Sequence, residues 1–312
     1  MSQALRAVLV EAFSDGPGAG NGAAVVHLTE PVSGRWMQAV AGSLRQSETA
    51  FLLADGDRWL LRWFTPACEV PLCGHATLAA LLALGYWGAM APGQELALHT
   101  RSGSLAVGLG LSPAAEEAGR GWIALPGGGL EPAVLPPDLD AVLRKRLMGG
   151  CEAFWRSRLG YAVALVSARS DLGRLNDLAA ELAGDLRGGL VVMQACRSGE
   201  GGGEAPRVAG EAADYRLRFF APGLGIAEDP VTGSAHALVA PWWMQRLGRS
   251  RVVGWQCSDR PGGMVCEAGS SATIRLTGSG YLLWDGTLFA RPESCAAGSS
   301  AAGTWQELGS AA

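Results

Sequence analysis

A stretch that recurs half a chain later restricts the folds open to these 312 residues more than any other feature. Leu61-Arg62-Trp63-Phe64-Thr65-Pro66 returns as Leu217-Arg218-Phe219-Phe220-Ala221-Pro222, displaced by 156 residues, half the chain length. Each copy leads into an apolar segment that opens on glycine. Gly74-His75-Ala76-Thr77 continues from Leu78 to Trp87, and Gly233-Ser234-Ala235-His236 continues from Ala237 to Met244, three residues later in register. A helix that is apolar all round belongs inside a core. Two related halves, each with a strand, a loop and a buried helix, are the economical reading, and the length favours two domains over one. Pro241 either kinks the second helix or ends its first part.

Around these helices the chain reads as short strands separated by glycine-rich turns. They fall at 4–12, 23–28, 50–53, 59–64, 105–109, 122–125, 161–166, 189–193 and 215–220, and then at 251–256, 263–267, 272–276 and 280–288. Apolar residues at three- and four-residue steps predict surface helices over 34–45, 139–148 and 175–186. The fold class is therefore α+β. The Gly/Pro run at 125–132 is the expected linker, between a first domain at 1–127 and a second at 132–290 whose last strand is free to pack back on the first. Residues 197–213 read as a mobile loop, and the Ala/Gly/Ser-rich stretch 291–312 as a flexible tail.

Composition narrows the function. With 48% hydrophobic and 17% charged residues the chain is not a disordered one. Net charge −4 without a long basic run argues against nucleic acid as a partner. Seven cysteines without regular spacing do not form a secreted disulfide framework. No signal-peptide pattern or bilayer-length apolar run is present, so no membrane partner and a cytoplasmic setting are expected.

Amides at the amino end of a buried helix point at whatever lies there and attract anions. If the two helix ends face one another across a cleft between the domains, that cleft receives a small carboxylate. Gly74 and Gly233 let a ligand approach the backbone closely. Titratable groups cluster nearby in sequence: Glu48, Cys73 and His75 at the first end, and Asp229, Ser234 and His236 at the second. An acid–base pair drawn from them could move a proton. Each also has a structural role open to it. Glu48 could cap a helix or sit at an exposed strand end, His75 could be a satisfied polar residue, and Asp229 before Pro230 is a natural turn former. Cys73 reads either as a thiolate base or as a small buried hydrophobe.

Cys68, Cys73 and His75 match no standard zinc spacing, so no metal is expected. The segment from Gly16 to Gly22 lacks both a phosphate-loop lysine and the dinucleotide glycine pattern. It reads instead as a turn joining two strands, with Asn21 taking an unusual backbone angle. No cofactor is expected.

Taken together, four segments carry a family resemblance. They are Gly20-Asn21-Gly22-Ala23-Ala24-Val25-Val26, Ser47-Glu48-Thr49-Ala50-Phe51, Arg62-Trp63-Phe64-Thr65-Pro66 with Glu69-Val70-Pro71-Leu72-Cys73-Gly74-His75-Ala76-Thr77, and Glu228-Asp229-Pro230-Val231-Thr232-Gly233-Ser234-Ala235-His236. The chain resembles the phenazine biosynthesis PhzF-like family, over roughly residues 4 to 290.

The resemblance implies a diaminopimelate epimerase-like fold: two pseudo-symmetric domains, each a β-barrel wrapped around a central helix, with the site in the cleft and usually a homodimer. It implies an isomerase in which Glu48 carries the proton as base and then acid, with His75 and Asp229 completing the catalytic set. Asn21, Ser47, Cys73, Gly74, Gly233 and Ser234 are the expected substrate-binding positions. Epimerases of this fold use two thiols, and the second site has no cysteine, which disfavours two-thiol racemisation. Gly22 stands where the family usually has proline. A binding module on the same scaffold, and a single-base epimerase using Cys73, are the alternatives.

Overall fold

The computed structural model describes residues 4–14, 16–111, 118–196, 204–289 and Trp305. In chain order the first elements are β1 (Leu5–Ala12), β2 (Asn21–Leu28), α1 (Gly34–Leu44), β3 (Glu48–Asp55), β4 (Arg58–Phe64), β5 (Glu69–Val70), α2 (Gly74–Tyr86), β6 (Glu95–Thr100), β7 (Gly103–Leu109) and β8 (Ala118–Pro126). There follow β9 (Leu130–Pro132), α3 (Pro137–Arg146), β10 (Cys151–Ser157), β11 (Ala162–Val166), α4 (Leu178–Glu181) and β12 (Leu190–Ala195). Next come β13 (Arg207–Val208), β14 (Glu211–Ala212), β15 (Tyr215–Ala221), β16 (Ile226–Asp229), α5 (Gly233–Leu247), β17 (Arg251–Gln256), β18 (Gly262–Ala268) and β19 (Thr273–Leu288). Two units result, Met1–Ala124 with Thr277–Ala312, and Leu125–Leu276. No helix among the described residues is long and apolar enough to cross a membrane.

In the first unit eight strands close on themselves. β1 pairs with β2, β2 with β3, β3 with β4, β4 with β6, β6 with β7 and β7 with β8. β19 completes the ring by pairing with both β8 and β1. The barrel is filled by α2, buried at every residue from Gly74 to Leu84 and packed against β1, β2, β3 and β7. Outside, α1 lays Met37, Val40 and Ala41 over Leu5, Val26, Phe51 and Phe64. Strands covered on both faces need no polar face, which explains why β1 to β4 read as nearly continuous apolar runs rather than as clean alternation.

The second unit repeats these pairings in order and in sense. The pairs β10–β11, β11–β12, β12–β15, β15–β16, β15–β17 and β17–β18 reproduce β1–β2, β2–β3, β3–β4, β4–β5, β4–β6 and β6–β7. α5 takes the central place of α2, buried from Ala235 to Ala240, and runs unbroken through Pro241 to Leu247. The outer layer is supplied by Leu139 and Leu143 of α3 and by Leu172, Leu175, Leu178 and Leu182. The fold is thus α+β, a barrel and central helix stated twice.

The duplicated arginine has the same task in both units. Arg62 is 4% exposed and grips Glu69 of β5 with two hydrogen bonds of 2.8 Å, while Arg218, at 2% exposed, grips Glu228 of β16 with both arms of its guanidinium. Arg218 also donates to Leu172 O and Asn176 Oδ1, each at 2.8 Å. The guanidiniums lie over the rings of Phe64 and Phe220, 5.3 and 5.2 Å from their centroids. Each clamp ties down the short strand that leads into a central helix, and so fixes where that helix starts.

Several sequence expectations are corrected. The helix expected over 175–186 is broken: a 3-10 turn at Leu172–Leu175, the four-residue α4 and a second 3-10 turn at Gly184–Gly188, interrupted by Asp177 in the left-handed region at φ 63°. The strands expected at 272–276 and 280–288 are one strand, β19. Gly278 and Gly280 do not turn the chain; a Cβ at either would lie 2.4 Å from the side chain of Phe13 or Leu82, so they are glycine to admit a close neighbour. β6 and β10 are strands that polar-laced sequence concealed. The positive φ angles near Asn21 belong to Phe13, Gly18 and Gly20, and Asn21 itself begins β2 in ordinary backbone.

Most of the expected tail and residues 197–203 of the expected loop lie outside the described residues, while 207–208 and 211–212 form the β13–β14 ribbon. Trp305 is not part of a loose tail. It is 1% exposed in the outer layer beside α1, donates from its indole nitrogen to Val32 O at 2.9 Å and lies 5.2 Å from the Arg62 guanidinium.

Candidate active site

Three elements of the first unit bring distant residues together. β3 opens on Glu48, β2 opens on Asn21, and α2 opens after Cys73, its N-cap residue, whose backbone is extended and whose side chain makes no capping hydrogen bond. His75 in the first turn of α2 places Nε2 2.9 Å from Glu48 Oε2, while Asn21 Nδ2 lies 3.1 Å from its Nδ1. Cys73 Sγ is 3.5 Å from the same Nδ1. In the neutral ring, with Nδ1 accepting from the Asn21 amide, the proton sits on Nε2 and faces the carboxylate; in the protonated ring both nitrogens donate. All four side chains are buried, with Asn21 fully enclosed and Glu48 and Cys73 each 7% exposed. Ser47, next to Glu48, is half-buried.

Burial works against a charged His75, while the Glu48 carboxylate beside it favours the charged ring and holds the imidazole above the ordinary histidine range. Burial, reinforced by the Glu48 charge, pushes the Cys73 thiol up to about 11, so it is a thiol at neutral pH. Thr77 Oγ1 donates to Cys73 O at 2.5 Å and steadies the helix start.

In the second unit α5 opens after Thr232, whose side chain does not cap the helix either. Asp229, 8% exposed at the end of β16, accepts from Thr232 Oγ1 at 2.5 Å. Gln256 fastens the turn: its Nε2 donates to Asp229 O at 2.6 Å, and its Oε1 accepts from Thr232 N at 2.8 Å. Ser234 is half-buried, its Oγ 3.3 Å from the Tyr161 hydroxyl. Thr232, Gln256 and Tyr161 were not singled out from the sequence. Thr232 carries the signal of lying within the Asp229 to Ser234 motif, whereas the other two come from strands or turns far off in the chain.

His236 belongs to the core rather than to this group. It is fully buried, with Nδ1 2.8 Å from the Tyr215 hydroxyl, and Trp243 stacks on Tyr215. Burial lowers the imidazole to about 3. The folded state therefore keeps His236 neutral while the unfolded chain protonates it near pH 6.5, so its contribution is complete above that value and drains as pH falls towards 3. Urea unfolding at pH 5 should show a loss of about 2 kcal/mol relative to pH 7, absent from His236→Gln; identical pH slopes for the two proteins would refute this account.

A family model described as phenazine biosynthesis-like protein matches residues 10–129 and 164–286. The chain belongs to the phenazine biosynthesis-like family. An uncharacterized isomerase of Pseudomonas aeruginosa is 33% identical over 284 residues, covering 89% of this chain and 96% of the relative. The human phenazine biosynthesis-like domain-containing protein is 34% identical over 304 residues, covering 90% and 98%. Among solved structures, a PhzF family protein of Enterococcus faecalis superposes with a TM-score of 0.73 at 28% identity, over 92% of this chain and all of that one. The activity class that accompanies this membership is isomerase.

Proposed function

We propose that the protein is a cofactor-independent isomerase that moves a proton within a small carboxylate-bearing substrate, with Glu48 taking the proton from one carbon and returning it to another. The supporting observation is the buried trio at the start of α2: a carboxylate 2.9 Å from an imidazole, beside a helix end whose N-cap side chain leaves the first-turn amides for an anion. His75 orients the carboxylate and supplies the electrostatic setting for charge that develops during transfer, and the amides of Gly74 and His75 hold the substrate anion. In the second unit, Asp229 at the end of β16 and Ser234 in the first turn of α5 stand beside a helix end of the same kind.

The thiol is the competing base. A group titrating at about 11 is ionised in only about one molecule in ten thousand at pH 7, which favours Glu48. Incubating the protein with pooled small carboxylic acids in deuterated water should mark one acid with solvent deuterium at carbon. With that acid in hand, Cys73→Ser should retain turnover within about tenfold, whereas a loss of 100-fold or more, the scale of a lost acid or base, would move the role to the thiol.

A further inference from the structure

The buried residues at the start of α2 also form a donor set suited to a second chemistry. One oxygen of Glu48, the sulfur of Cys73 and a ring nitrogen of His75 all lie within 4.8 Å of one another. Sequence spacing concealed the trio, because Cys73 and His75 are two residues apart whereas Glu48 comes from β3; Cys68 is exposed in a turn where its neighbour is Thr65. From these donors we propose a chelating site for a thiophilic divalent ion of the zinc class, which silences the protein by occupying Glu48.

Geometry and donor chemistry support it. Tetrahedral zinc with bonds of about 2.0–2.1 Å to nitrogen and oxygen and about 2.3 Å to sulfur requires an N···O edge of about 3.3 Å and an S···N edge of about 3.6 Å. The corresponding separations are 2.9 Å from His75 Nε2 to Glu48 Oε2 and 3.9 Å from His75 Nε2 to Cys73 Sγ. Both are within about half an ångström of what zinc needs, and the remaining sulfur–oxygen edge lies within 4.8 Å. A mixed O, N, S set suits zinc or cobalt and not calcium or magnesium, which take oxygen. Coordination takes Cys73 as its thiolate, the proton passing to solvent, so that two anionic ligands neutralise the dication. Asn21, 3.1 Å from Nδ1, becomes the outer partner that orients the ring once its amide presents oxygen to Nδ1–H. Three protein donors leave a fourth position for water.

Ion binding stands on the donors alone, whereas silencing rests on the proposed role of Glu48, and the two separate experimentally. Cobalt(II) added to the full chain should bind one-to-one and develop the near-ultraviolet charge-transfer band of a cobalt–thiolate bond. Cys73→Ser should abolish that band, Cys68→Ser should keep it, and Glu48→Gln should keep the band while weakening binding at least about tenfold, the cost of losing even an outer partner. In the unaltered protein, zinc should shield Cys73 from alkylation, read by peptide mass spectrometry, so the outcome does not depend on variants that fold. No cobalt–thiolate band together with unshielded Cys73 overturns the site, as does a band that survives Cys73→Ser. A band with undiminished turnover of an identified substrate overturns the silencing and, with it, the role of Glu48, while leaving the site in place.

Discussion

Glu48→Gln should reduce turnover of the marked acid about 10³-fold, within the range that a positioned acid–base group supplies. The amide occupies the space of the carboxylate, whose Oε2 lies 2.9 Å from His75 Nε2, so the urea midpoint should stay close to that of the unaltered protein. A second readout separates chemistry from packing. The carboxylate is one of the groups that raise His75, so its loss should move the His75 titration, followed by NMR, to lower pH. Turnover retained within tenfold, or a His75 titration that does not move, would remove Glu48 from the role assigned to it.

The other large effect is on stability. Arg218→Met should cost about 3–5 kcal/mol, the price of stranding the partner of a buried ion pair. Glu228 would lose both arms of its guanidinium partner, and Leu172 O and Asn176 Oδ1 would each lose a donor. Arg218→Met combined with Glu228→Leu should recover most of the loss, because the costly state is the unpaired charge rather than the missing pair. Denaturant unfolding of the single and double variants decides this, and a single variant within about 1 kcal/mol of the parent would show that the clamp is not a stability element.

Much of this architecture was legible because its signals are local and repeated. The duplicated Leu-Arg-aromatic-Phe segment and the two apolar helix starts announced a double fold, and α2 and α5 begin at the glycines expected, Gly74 and Gly233. What escaped depends on long-range meetings. No pattern within β3 says that Glu48 will face His75, and nothing around Arg62 or Arg218 names Glu69 or Glu228 as its partner. The broken helix at 172–188 failed for a local reason that periodicity hides: Asn176-Asp177 and Gly184 are turn residues set inside an apolar repeat. β19 failed in the opposite way, since Gly278 and Gly280 look like turn residues but serve Phe13 and Leu82 as space. Trp305 sits in a stretch whose composition suggests nothing to bury, and only its own size marks it as an anchor.

The return of β19 to pair with β1 has a consequence for synthesis on the ribosome. Leu125–Leu276 is one uninterrupted stretch and can fold as soon as it emerges, whereas the barrel begun by the first residues lacks its last stave until Thr277–Leu288 has been made. The half translated first is therefore the half finished last. Until then β1 and β8 each present an open edge, and a nascent chain stalled before residue 277 would be the form most exposed to chaperones and to pairing with other chains.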